Sequence, residues 1–330
     1  MAFRLTVRRA ASSILVDGKG VALEPFIMAG PLFNRVPSHA AVAGAPTLDV
    51  ARWESHGAIL VEEILRRRVG EPLTLAEAVR VYQYYLPVFF WIEGLVAARP
   101  AGSGPLFVGL SCPQGGGKTT LVDALHLLFG RDGKVCADMS LDDFYLTHRE
   151  QQALATANPG NGLLELRGNP GTHDTGLAQR TLAALASVGS SDGGSCGGRR
   201  GGGGGDGSTA LVPRYDKTAF KGRGDRLPEA EWTLVAARPD VVLFEGWCFG
   251  FAAKGTEQLE ADEDDPRLAP VDAVLGGPYR ELHRAMEAWV VVEVASVGRV
   301  YAWREEAEAN SRRAGKPAMT EAETKDFVDR

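Results

Sequence analysis

Between Leu106 and Leu128 an apolar run meets Cys-Pro-Gln-Gly-Gly-Gly-Lys-Thr-Thr and then a helical pattern. No other stretch constrains the fold as tightly. Leu106 to Leu110 is continuously apolar around Gly109, as in a buried strand, while Leu121, Ala124, Leu125 and Leu128 recur at the three-and-four spacing of one helix face. Gly115, Gly116 and Gly117 lack a Cβ, so the backbone between strand and helix is free to turn tightly and aim successive N–H groups at one anion. The helix beginning near Lys118 adds unpaired N–H groups and the positive end of its dipole. Cys112, Pro113, Gln114, Gly115, Gly116, Gly117, Lys118, Thr119 and Thr120 therefore read as a phosphate cradle. Lys118 supplies a mobile charge for the β and γ phosphates, and the Thr119 hydroxyl is placed to ligate Mg²⁺. Cys112 stands where this pattern usually has its first glycine.

The whole chain narrows the classes further. Its 330 residues suffice for one large domain with an accessory part, or for two modest ones. A formal charge of −6 argues against nucleic acid as the main partner. No apolar run reaches the ~20 residues of a bilayer helix; the best candidate, Leu86 to Ala98, carries Pro87 and Glu93. A soluble protein without a membrane partner is expected. Cys112, Cys136, Cys196 and Cys248 show no metal-ligand spacing and are too sparse for a disulfide framework, which points to a reducing compartment.

Residues 1–45 open with Arg4, Arg8, Arg9, Ser12 and Ser13 and no acid before Asp17, the composition of an organelle transit segment or a disordered extension. Residues 46–104 read as a helical region. Trp53, Leu60, Val61, Ile64 and Leu65 share a face of one helix, and Thr74 with Glu77 makes a capping-box start for another, with a bend at Pro87. Residues 105–330 then form the phosphate-loop domain, interrupted by a low-complexity insertion of Gly, Ser and Asp over 187–208.

Acids follow two of the expected strands. Lys134 to Leu141 delivers Asp142 and Asp143, and Val241 to Phe244 delivers Glu245. Ligands of doubly wound sheets bind outside such strand ends. Asp142 is placed to take a proton from a substrate hydroxyl, while Asp143 and Glu245 join Thr119 as candidates for holding the metal. Asn158 to Asp174 reads as a loop too polar for core. Arg167, His173, Arg214, Lys217, Arg223 and Arg226 are the candidate cations for an acceptor's carboxylate.

Taken in order, the phosphate loop, Leu-Asp-Asp-Phe-Tyr-Leu, Arg-Gly-Asn-Pro-Gly-Thr-His-Asp, Pro-Arg-Tyr-Asp-Lys, Gly-Arg-Gly-Asp-Arg and Phe-Glu-Gly-Trp closely resemble the plant-type D-glycerate 3-kinase family. That family sits in a wider group with phosphoribulokinase, uridine kinase and pantothenate kinase. The resemblance implies a three-layer α/β P-loop kinase fold with a mostly parallel sheet, with ATP and Mg²⁺ as cofactors and D-glycerate as the small-molecule partner. It implies transfer of a phosphoryl group to the 3-hydroxyl of D-glycerate, the last step of photorespiration in the chloroplast stroma, by a monomer. It also implies that Asp142 is the base and that Arg304, in the Trp303-Arg304 pair, reaches the phosphates from a lid. Alternatives are a related kinase acting on a nucleoside, pantothenate or a sugar phosphate, a regulatory nucleotide-binding protein, and a cytoplasmic location. The absence of an Asn-Lys-x-Asp guanine-reading motif disfavours a GTPase switch.

Overall fold

Four parallel strands carry the part of the fold that positions the site. In the computed structural model, which describes residues 12–36, 48–68, 70–189, 209–313, 315 and 318–329, the strand order is Ala288–Val291, Leu106–Ser111, Val241–Gly246, Cys136–Ser140. Every neighbouring pair is parallel. Strands buried on both faces need apolar residues at successive positions, and Val241, Val242, Leu243 and Phe244 are all fully buried. Gly109 interrupts its apolar strand for a local reason: a Cβ there would lie 2.5 Å from the Trp289 ring on the neighbouring strand. Helix Thr175–Ser187 buries Ala178, Leu182 and Leu185 in the same cluster as Met139, Phe144 and Phe244. This is the α/β architecture of a P-loop kinase.

The chain forms two compact units. One holds the described residues up to Ala101 together with Thr120–Gly133, and the other holds Gly102–Thr119 with the described residues from Lys134 onward.

In the first unit, part of the stretch expected as a transit segment or disordered extension, residues 12–36, carries two strands and a helix. Strands Ser13–Val16 and Lys19–Ala22 pair antiparallel across Asp17 and Gly18, both left-handed with φ of 48° and 74°. Such a turn matches the twist of a two-residue hairpin. The following helix, Leu23–Met28, buries Leu23 and Ile27. The arginine-rich start, residues 1–11, and 190–208 of the glycine-rich insertion lie outside the described residues.

Asp49 caps helix Val50–Glu63 through the Arg52 N–H, and the Thr74–Glu77 capping box forms as expected. Pro87 does not act through a simple bend. A widened turn, Arg80–Tyr85, runs directly into helix Leu86–Ala97, so the irregular hydrogen bonding falls where proline has no N–H to give.

Candidate active site

The phosphate loop is built on its glycines. Gly115 and Gly117 take φ of 77° and 85°, a region that disfavours any side chain. Gly116 donates its N–H to the Pro113 carbonyl at 3.0 Å. A Cβ on Gly116 would lie 2.6 Å from Cys112 Sγ, and one on Gly115 would lie 2.6 Å from Trp303 Cβ. Cys112, in the place of the usual glycine, has no positive φ; its thiol packs beneath the loop instead. Burial pushes that thiol's pKa up, so it stays a packed, protonated group. Helix Lys118–Arg131 begins directly after the loop, leaving its first N–H groups to face the cradle.

Parallel pairing brings the acids to the same end of the sheet. Glu245 is flanked by Leu110 on one neighbouring strand and Ser140 on the other. Its Oε2 lies 4.0 Å from Lys118 Nζ and, although buried, has no hydrogen-bond partner among the described residues. Burial pushes the Glu245 carboxyl's pKa up, and Lys118 and a hydrogen bond with Ser140 only partly offset it. Beyond Ser140 a tight turn, Leu141–Phe144, presents Asp142. Tyr145 donates its hydroxyl to Asp142 Oδ1 at 2.9 Å, and Lys217 Nζ donates to Oδ2 at 2.6 Å. Burial alone would raise Asp142's pKa; the Lys217 and Lys118 charges reverse it and hold the carboxyl below its ordinary value. Asp142 is thus ionised at neutral pH.

Asp143, expected at the metal, has both oxygens engaged elsewhere. Oδ2 accepts from Arg214 at 2.7 Å and Oδ1 accepts from the Tyr215 N–H at 3.2 Å. In this geometry it anchors the segment that follows the insertion. Glu245 and the loop hydroxyl of Thr119 remain the donors suited to Mg²⁺. Among the described residues no cluster of three His, Cys, Asp or Glu side chains could hold a metal ion. Mg²⁺ takes one or two protein oxygens and completes its shell with phosphates and water. The buried Glu245 oxygen, which beside the loop lysine accepts no hydrogen bond among the described residues, is the observation that favours such an ion.

The six candidate cations separate by what they already hold. Arg167 donates to the carbonyls of Gly222, Arg223 and Lys217, and Arg226 donates to the Tyr145 carbonyl and pairs with Asp174 at 3.4 Å. Arg214 bridges Asp143 and Thr233. These three pin one segment in place. Arg223 is exposed and borders a groove of about 760 Å³ with Phe220 and Lys221. Lys217 alone of the six reaches Asp142. Arg304 pairs with Glu308 at 2.6 Å on helix Gly298–Arg313, one residue from the Trp303 that lies against the phosphate loop.

His173 is not a cation. Although Asn158–Asp174 reads as polar loop, Thr172 and His173 are buried, because the segment folds back over the sheet end. The Phe144 carbonyl accepts from the Asp174 N–H at 2.7 Å and the Thr172 carbonyl from the Leu146 N–H at 2.9 Å. Trp247 Nε1–H reaches the Gly168 carbonyl at 2.8 Å. The His173 ring stacks on Tyr145 with centroids 4.5 Å apart, and burial depresses its pKa to about 4 despite Asp142. Tyr279 Oη accepts from the Gly171 N–H and shares a hydrogen bond with His173 Nδ1 at 2.5 Å. The other ring nitrogen, Nε2, has no hydrogen-bond partner among the described residues. Sequence reasoning named neither Tyr145 nor Tyr279 as functional. The signal for Tyr145 was its place three residues after Asp142, which a tight turn returns to the same side.

A depressed histidine pKa makes a prediction about stability. Below the ordinary 6.5 the unfolded chain takes up a proton that the folded chain refuses until about pH 4, so stability falls as pH drops through that window. Between pH 7 and pH 5 the expected loss from this residue is about 2 kcal/mol. Urea unfolding at the two pH values should show His173→Gln losing less on acidification than the parent; an equal loss would remove the assignment.

No protein-family model matches the chain. It is 37% identical over 322 residues to "D-glycerate 3-kinase, chloroplastic" of Arabidopsis thaliana, an alignment covering 96% of this chain and 66% of that protein. The chain therefore spans about two thirds of that relative's length. Among solved structures it matches the D-glycerate 3-kinase of Cryptococcus neoformans with a TM-score of 0.64 and 30% identity, over 74% of this chain and 84% of that one. The chain belongs to the D-glycerate 3-kinase family. A further family relative, "Probable ATP-dependent kinase TDA10" of Saccharomyces cerevisiae, is 33% identical over 68% of this chain and 75% of its own length. No helix among the described residues is long and apolar enough to cross a membrane.

Proposed function

We propose that the chain transfers the γ-phosphoryl group of ATP to the 3-hydroxyl of D-glycerate, giving 3-phosphoglycerate. The observation that carries this reading is the placement of an ionised Asp142, paired to Lys217, at the same sheet end as the phosphate loop, in a chain similar to proteins named D-glycerate 3-kinase. The loop from Cys112 to Thr120 holds the polyphosphate, with Lys118 as its point charge. Asp142 accepts the acceptor's proton as the acceptor oxygen bonds to the γ-phosphorus; the bond from that phosphorus to the bridging oxygen breaks, and ADP leaves with the electron pair. Thr119 and Glu245 would hold Mg²⁺, which when bound neutralises phosphate charge. Arg304 would add charge from the helix that carries Trp303.

The reading extends to 105–330 as the catalytic domain, with 46–104 as a helical region beside it in sequence. It also extends to a monomer, to the last step of photorespiration and to the chloroplast stroma, supported by the chloroplastic name of the Arabidopsis relative. ADP release measured with MgATP and a panel of acceptors tests the core of it. Release dependent on D-glycerate is the expected result. Dependence on a nucleoside, pantothenate or a sugar phosphate reassigns the substrate, and release indifferent to every acceptor removes the kinase reading.

A further inference from the structure

Each oxygen of Asp142 already accepts one hydrogen bond in this structure. Oδ1 accepts from Tyr145 and Oδ2 accepts from Lys217. The two partners differ in freedom. Tyr145 is buried and stacked on His173, so its hydroxyl is fixed. The Lys217 side chain is 55% exposed and ends in a compact charge on a flexible four-carbon stem. Its backbone, in contrast, is tied down: Arg167 donates to the Lys217 carbonyl, and the next residue, Thr218, donates its N–H and hydroxyl to the Asp216 carboxylate. The backbone is held while the four-carbon stem leaves the ammonium its rotamers.

An alcohol that hands its proton to Oδ2 competes there with the Lys217 ammonium, the one partner of Asp142 that is free to move aside. We propose that Lys217 is the residue that selects the acceptor: a carboxylate on the acceptor draws the ammonium off Asp142 and in doing so opens Oδ2 to the acceptor's own hydroxyl. The inference rests on the kinase reading above and deepens it. In D-glycerate one carbon separates the carboxylate from the carbon bearing the reactive hydroxyl, so both ends of the molecule meet the separated pair at once. Glycerol, the same skeleton with a neutral group in place of the carboxylate, offers the ammonium no better partner than Asp142 and leaves the base covered. None of the other five candidate cations does the same: Arg167, Arg214 and Arg226 hold carbonyls and acids of the fold, His173 is neutral, and Arg223 borders the outer groove.

The test compares D-glycerate with glycerol as acceptors for the full chain with MgATP. In Lys217→Met the ratio of kcat/KM for glycerate to that for glycerol is expected to fall ~10–100-fold, the worth of a charge-assisted hydrogen bond. The glycerate loss should appear mainly in KM, and Lys217→Arg should retain most of the ratio. A ratio unchanged in Lys217→Met, with both acceptors losing activity in the same proportion or losing it completely, overturns the proposal, since it makes Lys217 a phosphate contact or a structural tie. A parent enzyme that phosphorylates neither acceptor sinks the kinase reading itself, before the lysine is at issue.

Discussion

Asp142→Asn is expected to lower glycerate-dependent turnover by ~10²–10⁴-fold while leaving ATP affinity nearly intact. Asparagine keeps the shape of the side chain and an oxygen to accept the Tyr145 hydroxyl, so the buried turn Leu141–Phe144 should stand. What it lacks is a site for the proton and the charge that Lys217 pairs with. The cradle from Cys112 to Thr120 does not depend on that carboxylate. Steady-state turnover measured beside an equilibrium titration with a fluorescent ATP analogue separates the two effects. Turnover at the parent level would remove Asp142 from the chemistry.

Lys118→Met should be comparably severe by a different route. Loss of one positioned charge from a water-poor site commonly costs ~10²–10³-fold in rate. Lys118 is also the cation beside the buried Glu245 carboxylate. Burial already lifts Glu245's pKa, so removing the lysine favours its protonated form still further and weakens a group suited to Mg²⁺. The decrease is expected in kcat/KM for ATP, unlike the Asp142 variant, whose loss falls on turnover. A Lys118→Met enzyme within about threefold of the parent in kcat/KM for ATP would contradict the cradle assignment, being far short of what a lost positioned charge costs.

Much of the scaffold was legible from residue pattern because each signal there is local. An apolar run, three glycines and a helical repeat fix Leu106 to Arg131 without help from distant residues, and the Thr74–Glu77 cap is complete within four positions. The hairpin at Asp17-Gly18 is equally local, but it follows an arginine- and serine-rich start whose composition reads as a transit or disordered segment. The acceptor side was legible only as a set of cations. Whether Arg214 meets a substrate or Asp143, or whether His173 is charged, depends on pairings 71 and 106 residues apart in the chain, Arg214 with Asp143 and Tyr279 with His173. Spacing along the sequence says nothing of such pairings. Polarity of composition likewise failed for Asn158–Asp174, whose backbone groups bond to the turn after Asp142 and carry His173 into the interior.

The register of the sheet sets the separation between the loop, Asp142 and Glu245 by hydrogen bonding of backbone to backbone, which almost any side chain leaves undisturbed. The segment bearing Lys217 hangs instead on three arginines, Arg167, Arg214 and Arg226, each gripping carbonyls or carboxylates. On the proposed reading, substitutions in that segment are expected to alter which alcohol is chosen more than how the nucleotide is handled. The arginine-held arm and the backbone-held sheet are separate supports, and on the proposed reading acceptor choice hangs on the first and phosphoryl handling on the second.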